Sequence, residues 1–142
     1  MAVIKHIAIH RSPMKLMNYI LQNGKTDKNT LVTGLLCSTE PEKAYKEFER
    51  IYERFSGERF YNGIDKGTKR SIKIHHYIQS FEPGEVTPEE AHKIAVEWVR
   101  KVFGDHRQVL ISTHIDKGHT HTHFAVAVLT AVESDGSIIK KR

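Results

Sequence analysis

Four histidines and one aspartate lie within ten residues of this 142-residue chain, between positions 114 and 123. They are His114, Asp116, His119, His121 and His123. Imidazole nitrogens and carboxylate oxygens are common metal ligands in proteins, and an apolar run with strand composition follows directly at 124–129. A fortuitous histidine-rich tract usually lacks such a continuation. We therefore predict a metal site on a β-sheet, and a solvated row of histidines on a strand face is the alternative.

A β-hairpin turning at Lys117-Gly118 is predicted, because residues 108–114 and 119–129 both alternate with the period of a strand. This turn sets three opposite pairs: His114 with His121, Asp116 with His119, and Ser112 with His123. His114, His121 and His123 can then point their imidazoles at one ion, and we choose them as the ligands. His119 lies nearer the turn. It either contacts a ligand side chain without binding the metal itself, or it binds the metal in place of one of the three. Three nitrogens with open coordination positions are typical of a catalytic site.

The charge balance favours an anionic partner. Lysine and arginine number 22 against 17 aspartates and glutamates, a formal charge of +5, and nucleic acid is the first candidate. The single cysteine, Cys37, excludes an intramolecular disulfide, and its apolar neighbours predict that it is buried. We find neither an apolar stretch of the roughly 20 residues that span a membrane nor a secretory signal, and we expect a cytoplasmic protein.

Strand and helix patterns alternate along the chain and predict an α+β domain, with helices packed on a central, largely antiparallel sheet. The predicted strands span 2–10, 31–37, 71–81 and the hairpin of 107–133. The predicted helices begin after Ser12, Thr39 and Thr87 and end before Gly24, Gly57 and Gly104. Capping boxes are predicted at 39–42 and 87–90, and an apolar stripe from Ala91 to Val102 marks the third helix.

The length of the chain predicts one domain over residues 1–142. The apolar pair Ile138-Ile139 begins what is predicted to be a further strand, and the sequence stops three residues later. We expect this domain to be the N-terminal part of a longer protein.

One of the five tyrosines has a distinctive position. On a helical wheel, Tyr19 lies opposite the apolar arc of its helix and is predicted to project from the helix edge. That arc consists of Met14, Leu16, Met17, Ile20 and Leu21. The alternative is a boundary tyrosine with a packed ring and a solvated hydroxyl. Tyr45 and Tyr52 fall on the apolar stripe of the second helix and are predicted to be core residues.

Three segments in order carry a family resemblance. The first contains Asn18-Tyr19-Ile20-Leu21 and Gly24-Lys25-Thr26, the second runs from His76 through Ser80 to Glu85, and the third from Thr113 to His123. Together they resemble the three motifs of the relaxase and mobilisation nuclease family, the HUH-type, P-class DNA-nicking enzymes of conjugative and mobilisable elements. The tyrosine precedes the histidine motif, as in relaxases; rolling-circle replication initiators and single-strand transposases generally have the reverse order.

The resemblance implies a relaxase fold with a ferredoxin-like core and a strand-specific nick at an origin of transfer in single-stranded DNA. By the same resemblance, Tyr19 attacks the scissile phosphate and leaves a 5′-phosphotyrosyl link and a free 3′-hydroxyl, while Ser80 holds the DNA 3′ to the nick. The three histidine ligands would carry Mg or Mn, although an all-imidazole site also suits Zn or Ni. Accessory proteins of a transfer complex are a further family expectation.

A phenolic hydroxyl is a poor nucleophile at neutral pH, so it needs a metal, a base or both. Asp116 is a candidate for that base, or for orienting His119 or a ligand imidazole. Lys25 is a candidate phosphate contact, together with further basic residues: Lys28, Lys66, Lys69, Arg70 and Lys73. The rival hypotheses are a replication initiator or transposase of the same chemistry, a metal-dependent hydrolase that uses bound hydroxide, and a non-catalytic DNA-binding module.

Overall fold

Five strands and three helices follow one another in the predicted order. The structure is a computed structural model that describes residues 3–9, 12–21, 31–60, 72–116 and 119–131, and of Asp116 the backbone alone. The elements are β1 (Val3–Ile9), α1 (Pro13–Ile20), β2 (Val32–Leu35), α2 (Pro41–Ser56), β3 (Ile74–Phe81), α3 (Pro88–Phe103), β4 (Arg107–Asp116) and β5 (His119–Thr130). The predicted α+β class is confirmed. The predicted end of the first helix at 22–23 and the strand at 138–139 lie outside the described residues.

The strands form one antiparallel sheet in the order β1-β3-β5-β4-β2. The hairpin of β4 and β5 has the predicted register: His114 lies opposite His121, Ser112 opposite His123, and Asp116 opposite His119. On the other side of β5, the pairing with β3 places Ser80 opposite His121. The second and third sequence motifs, which are far apart along the chain, are therefore neighbours in the sheet.

Helices cover both faces of the sheet. Alternation along β4 and β5 sends one set of apolar side chains toward α1 and α2 and the other set toward α3. The first core contains Leu16, Met17 and Ile20 of α1, Ala44 and Phe48 of α2, and Leu110, Ala125 and Ala127 of the sheet. The second contains Ala95 and Val99 of α3 with Val109, Ile111, Phe124 and Val126. The site histidines lie on the face covered by α1 and α2.

The helix starts show where the sequence pattern predicts capping correctly and where it does not. Ser12 caps α1, accepting a hydrogen bond from the Lys15 amide, and Thr87 with Glu90 forms the predicted capping box of α3. The capping box predicted at Thr39 is wrong, because α2 starts with Pro41, which makes Glu40 the N-cap, and no side-chain cap bond forms there. A proline prefers the first helical position, so the residue just before it is the cap.

The apolar stripe predicted for α3 is wider than its buried face. Ala91, Ala95 and Val99 are fully buried, whereas Ile94 and Val102 are 38% and 54% exposed. The buried residues follow one another at intervals of four and two of them are alanines, so the helix rests on the sheet along a narrow line. Ile94 and Val102 lie at the margins of that line.

Candidate active site

Three histidines of the β4–β5 hairpin converge on one face of the sheet. His114, His121 and His123 each offer one ring nitrogen, and these nitrogens lie within 4.8 Å of one another. In the described part of the chain, no other group of three or more His, Cys, Asp or Glu side chains meets the same criterion. His114 and His123 are buried and His121 is half-buried. The cluster therefore has two histidines fixed inside the protein and a third at its solvent side.

The backbone of α1 fixes the orientation of His114. Its Nε2 lies 2.7 Å from the carbonyl oxygen of Ile20, in a buried hydrogen bond. A carbonyl oxygen can only accept, so Nε2 carries a proton and donates it. In the neutral ring the lone pair then lies on Nδ1, which is the nitrogen able to bind a cation. The last residue of α1 is thus tied directly to the first histidine of the cluster.

Tyr19 lies beside this cluster and outside the helical core. Its side chain is 41% exposed, while its neighbours Leu16, Met17, Ile20 and Leu21 are buried as the wheel predicts. The Tyr19 ring meets His123 edge-on with 5.5 Å between ring centroids, and His114 in the same manner at 6.2 Å. One turn of helix therefore anchors His114 through a backbone carbonyl and places a phenol against the histidines.

The other described tyrosines occupy different surroundings. Tyr45 and Tyr52 pack against Phe60, as expected for core residues. Tyr77 packs on Trp98 and Phe103, on the side of the sheet covered by α3. Tyr61 lies outside the described residues. This distribution leaves Tyr19 as the tyrosine that the structure shows in ring contact with the histidine cluster.

His76 of β3 adds a fourth imidazole that sequence analysis did not single out. Its Nε2 lies 2.9 Å from Nδ1 of His123, and the two rings stack with centroids 5.1 Å apart. Burial lowers the pKa of His76 to about 4, and the nearby His114 adds to the shift. The signal available in the sequence was the alternation of side chains along a strand, which places His76 and Ser80 on the same face. The pairing of that strand with β5 is a long-range feature that no local pattern reveals.

The other residues predicted for the site lie in different places in the structure. Ser80 is exposed and lies opposite His121 across the β3–β5 pair. His119 is exposed at the start of β5 and is not one of the three clustered histidines. The backbone of Asp116 pairs with His119, but the Asp116 side chain and all of Lys25 lie outside the described residues. The structure thus brings together Tyr19, the three histidines predicted as ligands and Ser80.

Lys73 has partners within the fold. Its Nζ donates to the Tyr52 hydroxyl at 2.9 Å and to the Arg59 carbonyl at 3.2 Å, and it lies 4.5 Å from the centre of the Tyr52 ring. These contacts favour a structural role for Lys73 over the phosphate contact that its charge suggested. The other basic candidates at 25, 28, 66, 69 and 70 lie outside the described residues.

The donor set fits a divalent metal ion. Three imidazoles on a rigid hairpin provide neutral ligands, and the hydrogen bond to Ile20 holds one of them in a defined tautomer. A half-buried ligand on one side leaves access from solvent. Chemically, such a centre can place positive charge beside the Tyr19 phenol and stabilise an anion bound there.

Comparison with known proteins gives the chain a family. A profile described as "Relaxase: MobA/VirD2-like, nuclease domain" matches residues 19–141. Protein rlx of Staphylococcus aureus is 35% identical over 95 residues, covering 66% of this chain and 25% of that protein. The group II intron-interrupted relaxase LtrB of Lactococcus lactis subsp. cremoris (strain MG1363) is 34% identical over 71 residues, covering 47% and 13% respectively.

A second Protein rlx of Staphylococcus aureus is 34% identical over 95 residues. The chain spans about a quarter or less of the length of these relatives, and no solved structure matches it. None of the described helices is long and apolar enough to cross a membrane. Since the family profile covers most of the sequence and one relative is named a relaxase, the chain belongs to the MobA/VirD2-like relaxase family and corresponds to its nuclease domain.

Proposed function

We propose that this domain nicks one strand of DNA at an origin of transfer by transesterification, with Tyr19 as the nucleophile. The observation that carries the proposal is the edge-on packing of the Tyr19 ring against His114 and His123. A partly exposed phenol beside three convergent imidazoles is suited to attack on a phosphodiester held there. The family model and the relative named a relaxase support a role in DNA transfer over replication initiation or transposition, which use the same chemistry.

The proposed step exchanges one phosphodiester bond for another. The Tyr19 oxygen attacks the scissile phosphorus, the bond from phosphorus to the 3′ oxygen breaks, and a 5′-phosphotyrosyl link remains. The phenolic proton passes to a base, for which Asp116 is the candidate, and the departing 3′ oxygen takes up a proton. Because the energy of the diester is conserved in the new link, the 3′-hydroxyl can reverse the reaction and rejoin the strand without a nucleotide cofactor.

His114, His121 and His123 would hold the divalent ion, for which we propose Mg or Mn. When bound, the ion supplies Lewis-acid stabilisation of charge on the nonbridging phosphate oxygens. Neutral imidazoles leave its charge undiminished, in contrast to carboxylate ligands. The same donor set suits Zn or Ni, so the metal in a purified sample need not be the working one. His119 has the proposed role of supporting a ligand or replacing one.

The DNA would run along the sheet from the histidine cluster toward β3. Ser80 is exposed and opposite His121, which suits the proposed contact with the strand 3′ to the nick. Lys25 is proposed as a phosphate contact, as its charge suggests. Accessory transfer proteins would assist recognition of the origin. Because the proposed substrate is the DNA to be transferred, we expect the activity in the cytoplasm.

The decisive experiment uses labelled single-stranded oligonucleotides that tile the DNA flanking the gene of this protein, incubated with the domain and Mn²⁺. We expect a covalent protein–DNA adduct on denaturing gels, with the label retained when it lies 3′ of the nick and released when it lies 5′. Tyr19→Phe should abolish the adduct and keep DNA binding. Tyr77→Phe is the matched control, because Tyr77 lies on the opposite face of the sheet.

Two outcomes would contradict the proposal. Two protein-free DNA ends, formed equally well by Tyr19→Phe, would indicate a metal-dependent hydrolase. Tight DNA binding without cleavage, unaffected when His121 and His123 are replaced by alanine, would indicate a non-catalytic binding module.

A further inference from the structure

The proposed function leaves His76 without a role, although its ring contacts the proposed ligand His123 from outside the β4–β5 hairpin. In the register of β3 and β5, His76 pairs with Ala125 and Ile78 pairs with His123. His76 and His123 are therefore diagonal neighbours on one face, within reach of long side chains. Both are buried, with 6% and 2% of their surfaces exposed. Their ring planes are 24° apart and the facing nitrogens 2.9 Å apart.

A hydrogen bond between two ring nitrogens needs one donor and one acceptor, and this leaves two arrangements. If His76 Nε2 donates, His123 accepts at Nδ1, and its neutral ring carries the proton on Nε2. That nitrogen then has no lone pair to offer a metal. If His123 Nδ1 donates instead, His76 Nε2 accepts and His123 Nε2 is left with a free lone pair. Only the second arrangement is compatible with ligation by His123 Nε2.

We propose that His76 is a positioning residue that accepts the Nδ1 proton of His123 and thereby presents Nε2 of His123 to the metal. The inference rests on the proposed function for the ligand role of His123. The geometry supports it, because both rings are buried and their facing nitrogens lie at hydrogen-bond distance. Metal-binding histidines commonly direct their second nitrogen to such an acceptor.

His114 and His123 would then be oriented by two different kinds of acceptor. The Ile20 backbone carbonyl accepts from His114 and can only accept. His76 accepts from His123 and could equally donate, so its ring determines which tautomer His123 adopts. A side chain can be replaced, whereas a backbone carbonyl cannot, and His76 is the acceptor that mutagenesis can test.

The test compares His76→Leu, which removes the acceptor, with His76→Gln, whose amide oxygen reaches about as far as Nε2. Mn²⁺ binding is measured by calorimetry without DNA, and the His123 tautomer is read from two-bond ¹H–¹⁵N spectra of the metal-free protein. We expect His76→Leu to weaken Mn²⁺ binding about 10–100-fold and His76→Gln to recover most of it. Wild-type His123 should carry its proton on Nδ1, and His76→Leu should mix the two tautomers.

His75→Leu is the matched control, since His75 is the next residue on β3 and points to the other face, where it contacts His6. It should bind Mn²⁺ as the wild type does. Wild-type affinity in a folded His76→Leu, or a wild-type His123 protonated on Nε2, would overturn the proposal. If the leucine variant does not fold, the proposal is tested by the tautomer of His123 in the wild type and by the Mn²⁺ affinity of His76→Gln.

Both measurements omit DNA, so they distinguish failure of this inference from failure of the proposed function. Loss of metal affinity in His76→Leu would stand even if Tyr19 formed no adduct. Conversely, unchanged metal affinity in His76→Leu would remove the role of His76 and leave nicking by Tyr19 untouched.

Discussion

Among the three proposed ligands, His121 differs from His114 and His123 in ways that affect what its removal does. His114 and His123 each use one ring nitrogen in a buried hydrogen bond, so replacing either one also disturbs the fold. His121 is half-buried and at the solvent side of the cluster. Replacing it therefore probes metal binding with the least change to the core.

We predict that His121→Ala weakens Mn²⁺ binding by more than about 100-fold, since loss of a direct ligand should exceed the effect of losing an outer hydrogen bond. Calorimetric titration of the metal-free domain measures this change. His106→Ala is the control, because His106 is exposed just before the start of β4, at the far end of that strand from the turn. Equal binding by the His121 and His106 variants would exclude His121 as a ligand.

Cys37 is half-buried, less than its apolar neighbours predicted, and its surroundings suppress ionisation of the thiol. Burial, together with the smaller effect of the nearby Glu47 carboxylate, raises its pKa to about 12. The thiol donates to the Val109 carbonyl at 3.5 Å and packs against the core, which agrees with the packing role predicted from its neighbours.

We predict that iodoacetamide at pH 8 alkylates Cys37 at least about 100-fold more slowly in the folded domain than in urea, because the thiolate is suppressed. The raised pKa also means that the stabilising contribution of this thiol is present below its unfolded pKa and is lost as pH rises toward 12. Mass spectrometry of timed samples gives the rate. Similar rates in the folded and unfolded chain would show that the thiol is accessible and ionised.

At the scale of elements, the sequence predicts what local chemistry controls. The hairpin register follows from the turn position and strand parity, and it placed His114 opposite His121 correctly. The wheel of α1 placed Tyr19 outside the core. The pairing of β3 with β5 depends on contacts between distant segments, so the approach of His76 to His123 was not predictable from either segment alone.

The two capping-box patterns provide a matched pair of substitutions. Thr87 accepts from the Glu90 amide at the start of α3, whereas Thr39 is one residue too early to cap α2. We predict that Thr87→Ala lowers the free energy of unfolding by about 1 kcal/mol, and that Thr39→Ala changes it by less than about 0.5 kcal/mol. Urea denaturation followed by circular dichroism measures both. Equal losses would mean that the Thr87 cap contributes nothing specific.

For the molecule as a whole, the formal charge of +5 favours an anionic partner such as DNA, and the number of phosphate contacts sets how DNA binding responds to salt. Each phosphate contact with a single strand contributes a slope of about −0.7 to the dependence of log affinity on log salt. If the site holds about four phosphates, raising salt from about 50 to 200 mM should weaken binding about 50-fold. Fluorescence anisotropy with a labelled oligonucleotide measures the slope. An affinity independent of salt would exclude phosphate contacts as the main source of binding.

The hydrogen bond from His114 to the Ile20 carbonyl connects the helix of the proposed nucleophile directly to a proposed metal ligand. Sites coupled in this way influence each other's binding reciprocally. Tyr19 is one residue from that carbonyl, so a DNA strand attached to it would pull on the bond that orients His114. Mechanical load on the strand and occupancy by the ion should therefore oppose each other. A DNA strand under tension would favour release of the metal ion. A strand without tension would favour rebinding of the ion and rejoining of the DNA.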